Sequence, residues 1–138
     1  MRINRALRGA AFCAVGVLSF VSAAAQAPEP HESIALKSGE TADLGNLFWV
    51  ANCKSLLVGP ISAEVMDGPP GVTVSVKQQN VLPRKFNCAK EVPGGRLIIS
   101  APQEIKEKAT GTLVVRVKYP TKDGERQASR TINMFLVP

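Results

Sequence analysis

Alternating apolar and polar positions are clearest near the end of the chain. Every second position is apolar in two segments, with Leu113, Val115, Val117 and Tyr119 in 112–119 and Ile132, Met134 and Leu136 in 128–137. A period of two buries one face of a strand and leaves the other face in water. Between the segments, Asp123-Gly124 is typical of a hairpin turn, because glycine tolerates the positive φ needed there. The pattern predicts a C-terminal β-hairpin.

Shorter strand-like runs fill the rest of the chain after residue 33. Val72, Val74 and Val76 alternate with polar residues. Weaker strands are predicted at 33–36, 47–50, 61–66 and 96–100, with Gly-Pro-Pro-Gly at 68–71 as a sharp connector. Segment 102–109 predicts one or two helical turns with Ile105 facing the core. The length and spacing of the strands predict an all-β sandwich of about seven or eight strands rather than βαβ units.

The first 25 residues have the pattern of a cleavable signal peptide. Three arginines precede an apolar run at 10–21, and Ala23-Ala24-Ala25 offers the small residues that cleavage requires. The run is too short to span a hydrocarbon core of about 30 Å comfortably, which argues against a membrane anchor. We expect a signal peptide at 1–25, a flexible lead-in at 26–33 and one domain at 34–138. The protein is then periplasmic or secreted, without a membrane span after cleavage.

Removal of the signal peptide halves the net charge. The chain carries 17 basic and 11 acidic residues, a net charge of +6, and three of the basic residues lie in the signal peptide. The mature chain therefore carries about +3, which does not support the basic stripe of a nucleic-acid-binding protein. Export also argues against nucleic acid as a ligand.

Two cysteines, Cys53 and Cys88, remain in the mature chain. An even number of cysteines in an exported protein predicts a disulfide, here closing a loop of about 36 residues and stabilising the fold by roughly 4 kcal/mol in the chain-entropy model. The alternatives are two free thiols or a metal-binding pair, for which the sequence offers no supporting ligands.

Catalytic and metal-binding groups are few. His31 is the only histidine and lies in the predicted lead-in. Acid, base or nucleophilic catalysis needs converging titratable groups, and the carboxylates are scattered singly. Met66 and Met134 lie in predicted strands, where methionine usually fills a core. We therefore expect no enzyme activity, no cofactor and no metal site.

The ends of the domain resemble bacterial immunoglobulin-like domains. Segment 111–133 is similar to their closing hairpin, and 34–36 followed by Gly39-Glu40-Thr41 is similar to their opening strand. The resemblance implies an immunoglobulin-like β-sandwich with a binding or structural role. The mature sequence also resembles exported proteins of Gram-negative bacteria, which implies export and supplies no activity to transfer.

The cysteines depart from the antibody-type pattern. In that family a disulfide bridges the two sheets and a tryptophan follows the first cysteine. Here Trp49 precedes Cys53, and further strands follow Cys88. The disulfide is therefore expected to pin the 80–95 loop onto the strand or turn near Cys53. Since Phe48 and Trp49 are consecutive, a strand would direct them to opposite faces.

A second resemblance is to exported inhibitors of cysteine peptidases that share the immunoglobulin-like layout. Gly94-Gly95 and Tyr119-Pro120 lie roughly where these inhibitors carry motifs. Their Asn-Pro-Thr-Thr-Gly loop is absent, and Tyr119-Pro120-Thr121-Lys122 differs from their Arg-Pro-aromatic loop. Inhibition of cysteine peptidases is therefore the alternative function.

Segment 81–96 is the most unusual stretch of the domain. It combines prolines, glycines and Cys88 with the candidate contact residues Arg84, Lys85, Phe86, Lys90 and Arg96. Proline, glycine and a disulfide predict a rigid, exposed loop. The loop is either a soluble connector or a contact surface for an envelope protein or an anionic surface polymer. The expected function is a non-catalytic binding or structural module of the cell envelope.

Overall fold

The computed structural model describes residues 32–138. They form nine strands and one 3-10 helix, in the order β1 (Glu32–Lys37), β2 (Thr41–Leu47), β3 (Val50–Ala51), β4 (Lys54–Ser55), β5 (Ser62–Asp67), β6 (Thr73–Val81), the 3-10 helix (Arg84–Phe86), β7 (Val92–Ser100), β8 (Ala109–Thr121) and β9 (Gly124–Val137). The predicted signal peptide, most of the lead-in and His31 lie outside this range. Residues 32 and 33, assigned to the lead-in from sequence, belong to β1.

The strands form two main sheets and a small ribbon. One sheet has the order β1-β9-β8-β5, the other has the order β2-β7-β6, and β3 pairs with β4. β1 runs parallel to β9, whereas the other pairings are antiparallel. The sheets pack in a sandwich-like arrangement, so the all-β class predicted from sequence is confirmed.

The core lies between the two sheets. β8 and β9 contribute the side chains predicted from the alternation, and Leu113, Val115, Val117 and Ile132 are fully buried. Leu97 and Ile99 of β7 face them from the other sheet and are also fully buried. Met134 lies in this core, whereas Met66 of β5 is exposed, so the expected core role of Met66 is wrong. The period-two pattern identified the buried face of the long strands correctly.

The predicted C-terminal hairpin is present. Thr121 pairs with Gly124, so Lys122 and Asp123 occupy the turn. Gly124 has a φ of 107°, and the Thr121 hydroxyl donates a hydrogen bond to its carbonyl oxygen at 2.6 Å. A residue with positive φ directly after a two-residue turn accommodates the twist of the hairpin, which explains why glycine follows the aspartate.

Several predicted elements are wrong. Segment 102–108 forms no helix, although Ile105 is buried as expected and its N–H donates to the Ser38 hydroxyl at 2.9 Å. The strand predicted at 47–50 is not continuous, because Phe48 and Trp49 lie between β2 and β3. β2 was not predicted as a strand over its full length, because Asp43, Gly45 and Asn46 interrupt its apolar pattern at a register shift.

Candidate contact surface at the loop end

Three connections meet at one end of the sandwich, which we call the loop end. They are 48–61 between β2 and β5, 82–91 between β6 and β7, and the turn 122–123 between β8 and β9. Leu57 forms a bridge with Thr121, and the Val58 N–H donates to the Pro120 carbonyl at 2.9 Å. These contacts fasten the first connection to the third.

A disulfide fastens the first connection to the second. Cys53 and Cys88 are bonded, with their Cα atoms 5.4 Å apart and a sequence separation of 35. Cys53 lies with Asn52 in the two-residue turn between β3 and β4, and both have positive φ, as a hairpin turn of this length requires. The bond therefore pins the 82–91 segment, the stapled loop, to the β3–β4 turn rather than bridging the sheets. This is the arrangement expected from sequence.

The stapled loop turns tightly between two buried anchors. Pro83 and Cys88 are buried on either side of the 3-10 helix. The helix ends at Asn87, which has a φ of 54° and donates its N–H to the Arg84 carbonyl at 3.0 Å. Phe86 lies between the anchors and is 55% exposed. A core position for Phe86 beside the disulfide is therefore not observed.

Aromatic side chains line a cleft beside the stapled loop. The aromatic cleft has a volume of about 540 Å³ and is lined by Asn46, Phe48, Trp49, Val50, Lys85, Phe86 and Tyr119. The centres of the Phe48 and Phe86 rings are 5.9 Å apart, and the ring planes are nearly perpendicular, at 79°. The Trp49 and Tyr119 rings are 5.2 Å apart and tilted by 44°. The cleft thus joins the stapled loop to the buried end of β8.

Phe48 and Trp49 both contribute to this one cleft. The prediction that they point to opposite faces fails because neither residue lies in a strand. Tyr119 is buried at the floor, and burial raises the pKa of its hydroxyl, an effect that the positive charge of Arg130 partly offsets. Tyr119 is therefore a neutral phenol at physiological pH.

The sequence-predicted contact residues do not all lie together. Arg84, Lys85, Phe86 and Lys90 lie on the stapled loop and are exposed. The Lys85 ammonium lies 5.9 Å from the centre of the Phe86 ring. These four residues share the stapled loop, but of them only Lys85 and Phe86 line the aromatic cleft.

Arg96 differs from the other predicted contact residues because it belongs to β7. Its guanidinium donates to the Asp43 carboxylate and, at 2.7 Å, to the Asn46 amide oxygen. This contact holds the pKa of the Asp43 carboxyl below its usual range. Arg96 and Arg84 line a common polar cleft of about 420 Å³, but the Arg96 charge is already paired with an acidic group.

β7 begins earlier than the sequence suggested. Pro93, Gly94 and Gly95 belong to the strand, and the two glycines are buried. A Cβ atom at Gly94 would lie 2.4 Å from the Leu47 carbonyl oxygen. The Gly94-Gly95 pair therefore allows close packing against β2 and is not part of an exposed loop.

Positive charge is concentrated at the loop end. Its basic residues are Lys54, Arg84, Lys85, Lys90 and Lys122, and its acidic residues are Glu91 and Asp123. The rest of the 32–138 range has nine basic and eight acidic residues. The loop end therefore holds most of the net positive charge of the described domain, which favours an anionic partner.

Phe48, Trp49 and Tyr119 were not predicted from sequence to share a site. Their only sequence signal was the presence of Trp49 close before Cys53. Tyr119 was assigned to the buried face of β8, which is correct, but its contact with Trp49 depends on how the sheets stack.

The range 32–138 contains no group of three or more His, Cys, Asp or Glu side chains placed to hold a metal ion. Within the same residues, no helix has the length and apolar character needed to cross a membrane. Comparisons with protein-family models, with curated proteins and with solved structures found no match to this chain.

Proposed function

We propose that the protein is an exported, non-catalytic binding module of the cell envelope, with the loop end as its contact surface. The observation that carries this proposal is Phe86, a large apolar side chain that is 55% exposed on a loop fixed by a disulfide. Exposed aromatic side chains on a rigid loop are typical of binding surfaces, because little conformational entropy is lost when they are buried by a partner.

The strand order supports an immunoglobulin-like sandwich for this module. In such domains the second, fifth and fourth strands form one sheet, and the seventh, sixth and third form the other. Counting only the strands of the two main sheets, β2-β7-β6 and β9-β8-β5 have this order, with β1 added beside β9. In this fold, binding residues commonly lie on loops clustered at one end of the sandwich.

The charge of the loop end supports an anionic partner. Three basic residues, Arg84, Lys85 and Lys90, surround Phe86 on the stapled loop. Such charges mainly raise the association rate and make it dependent on salt concentration, whereas a buried aromatic side chain lengthens the lifetime of the complex. The partner is then an envelope protein or a surface polymer with negative charge.

Site-specific photo-crosslinking in intact cells tests the proposal. A photoreactive phenylalanine analogue is placed at position 86, and in a control protein at position 135. Phe135 of β9 is a matched control, because it is 49% exposed and pairs with Thr110, at the end of β8 far from the loop end.

We expect a discrete crosslinked product from position 86 and none from position 135. The absence of a product from position 86, or the same products from both positions, would contradict the proposal.

Inhibition of cysteine peptidases is a second candidate, favoured by the meeting of three connections at one end. The inhibitors that the sequence resembles also present several loops to a peptidase cleft. Titration of a papain-like peptidase with the purified domain distinguishes the candidates. Stoichiometric loss of peptidase activity supports inhibition, whereas full activity at a large excess of the domain excludes it.

A further inference from the structure

The aromatic cleft is concave, and its rings do not form a flat platform. The Phe48–Phe86 pair meets at 79° and the Trp49–Tyr119 pair at 44°. The two rings of each pair pack against each other, with centres 5.9 and 5.2 Å apart, and at such angles they present no single extended stacking face. The volume of about 540 Å³ is large enough to hold a bulky side chain. This shape favours insertion of an apolar group over stacking of a flat ring along the surface.

The charge of the cleft lining disfavours a cationic occupant. Lys85 is the one charged residue among the seven that line it, and no carboxylate is present among them. The Lys85 ammonium also lies 5.9 Å from the centre of the Phe86 ring, so that ring already faces a cation. Arg84 and Lys90 extend the positive charge along the same loop. A group with negative charge beside its apolar part suits this surface.

The polar groups of the lining are too few for a saccharide. Beside Lys85, only Asn46, Trp49 and Tyr119 of the lining carry polar side-chain groups, and the Asn46 amide oxygen already accepts a hydrogen bond from Arg96. A sugar ring carries hydroxyl groups around its rim, and each one left without a partner on burial weakens binding. An amino-acid side chain such as phenylalanine can enter the cleft without this penalty.

We propose that the aromatic cleft receives an aromatic side chain from an acidic peptide segment of a partner protein, with the flanking carboxylates against Lys85 and Arg84. This inference rests on the proposed function, because it assigns a ligand to the same loop end. Phe86 supplies one wall of the cleft and becomes more buried on binding. The disulfide holds that wall in place before the ligand arrives, which lowers the entropy lost on binding.

Trp49 provides the measurement. It is the only tryptophan of the chain and lines the cleft, so its fluorescence reports occupancy directly. The probe is the capped peptide Gly-Asp-Glu-Phe-Asp-Glu-Gly, with two control peptides in which serine replaces phenylalanine or lysine replaces every acidic residue. We expect saturable binding with a dissociation constant of about 0.1–1 mM, and binding at least about tenfold weaker for each control peptide.

Variants of the domain locate the binding. Phe86→Ala and Lys85→Glu are each expected to weaken binding of the probe peptide at least about fivefold, because the first removes an apolar contact and the second reverses a charge. Phe135→Ala and Lys108→Glu are the matched controls, because both residues are exposed and lie away from the loop end. They are expected to bind the probe like the unmodified domain. Melting temperatures verify that each variant is folded.

The results separate this inference from the proposed function. Absence of a Trp49 response to the acidic aromatic peptide overturns the ligand assignment, while a crosslink from position 86 still supports a binding module. A response to oligogalacturonate or to phosphatidylglycerol vesicles, without one to the peptide, also overturns it. Equal binding of all three peptides would overturn it as well, since neither the aromatic side chain nor the negative charge would then matter.

Discussion

Gly94 shows how a single residue positions the candidate site. A Cβ atom at this position would lie 2.4 Å from the Leu47 carbonyl oxygen and 2.7 Å from a Val81 methyl carbon. The absence of a side chain lets β7 approach the end of β2. Phe48 and Trp49 follow Leu47 directly, so this close approach places them beside the stapled loop.

Replacing Gly94 should therefore destabilise the domain. We expect Gly94→Ala to lower the free energy of unfolding by about 1–3 kcal/mol, because overpacking forces the strands apart. Gly59→Ala is the control: the nearest atom to its Cβ would be a Pro120 side-chain carbon at 3.4 Å, and its φ does not require glycine. That variant should stay within about 0.5 kcal/mol of the unmodified domain. Urea unfolding measures both, and equal stability of the two variants would contradict the close approach.

Arg130 is a residue whose position the sequence did not predict. It pairs with Val115 across β8 and β9, on the face that is otherwise apolar. Its guanidinium donates to the Glu32 carboxylate and, at 3.2 Å, to the Leu44 carbonyl, so it links β1, β9 and β2. The apolar alternation of β9 continues beyond this residue, because Ala128 packs against the core.

Among the secondary-structure elements, the buried residues were predicted correctly in strands that have one solvent-exposed face and one buried face. β8 and β9 meet this condition, and their buried residues were identified correctly. Residues 92–95 of β7 were predicted to lie in a loop, because proline and glycine usually break strands. Here the two glycines of this segment allow the strands to pack closely. The helical turns predicted at 102–109 do not form, and the Ile105 N–H donates to the Ser38 hydroxyl.

The two faces of β8 should respond differently to the same new charge. Val117 is fully buried, whereas Arg116 lies on the outer face, 3.6 Å from the Glu64 carboxylate. Val117→Asp buries a charge without a partner and is expected to prevent folding. Arg116→Asp loses one exposed ion pair and places a carboxylate opposite Glu64, which together should cost about 1–2 kcal/mol. Circular dichroism and thermal unfolding measure both, and similar stabilities would show that the assignment of faces is wrong.

At the scale of the whole molecule, the disulfide stabilises the loop end and does not form part of the core. Sequence predicted the bond and the loop that it holds. It could not predict the aromatic cleft, because the contact of Trp49 with Tyr119 depends on how two sheets and a ribbon stack. The candidate surface could thus be found from sequence only through its cysteines, its charges and Phe86.

Removal of the disulfide should loosen the loop end and leave the sheets intact. We expect the double variant Cys53→Ser with Cys88→Ser to lose about 2–5 kcal/mol of stability, the usual cost in a small secreted domain. Far-UV circular dichroism should retain its β-sheet signal, and Trp49 emission should shift as Phe86 leaves Phe48. In the unmodified protein, reaction of both cysteines with an alkylating reagent in the absence of reductant would contradict the bond.

The most direct test of the contact surface compares Phe86→Ala with Phe135→Ala, two removals of an exposed phenylalanine. For each variant, the melting temperature is measured together with retention of the partner that crosslinks at position 86. We expect Phe86→Ala to shift the melting temperature by less than about 4 °C and to lose the partner, and we expect Phe135→Ala to retain the partner. A large drop in melting temperature for Phe86→Ala, with retention of the partner unchanged, would contradict the proposed contact surface, because Phe86 would then stabilise the fold rather than bind the partner.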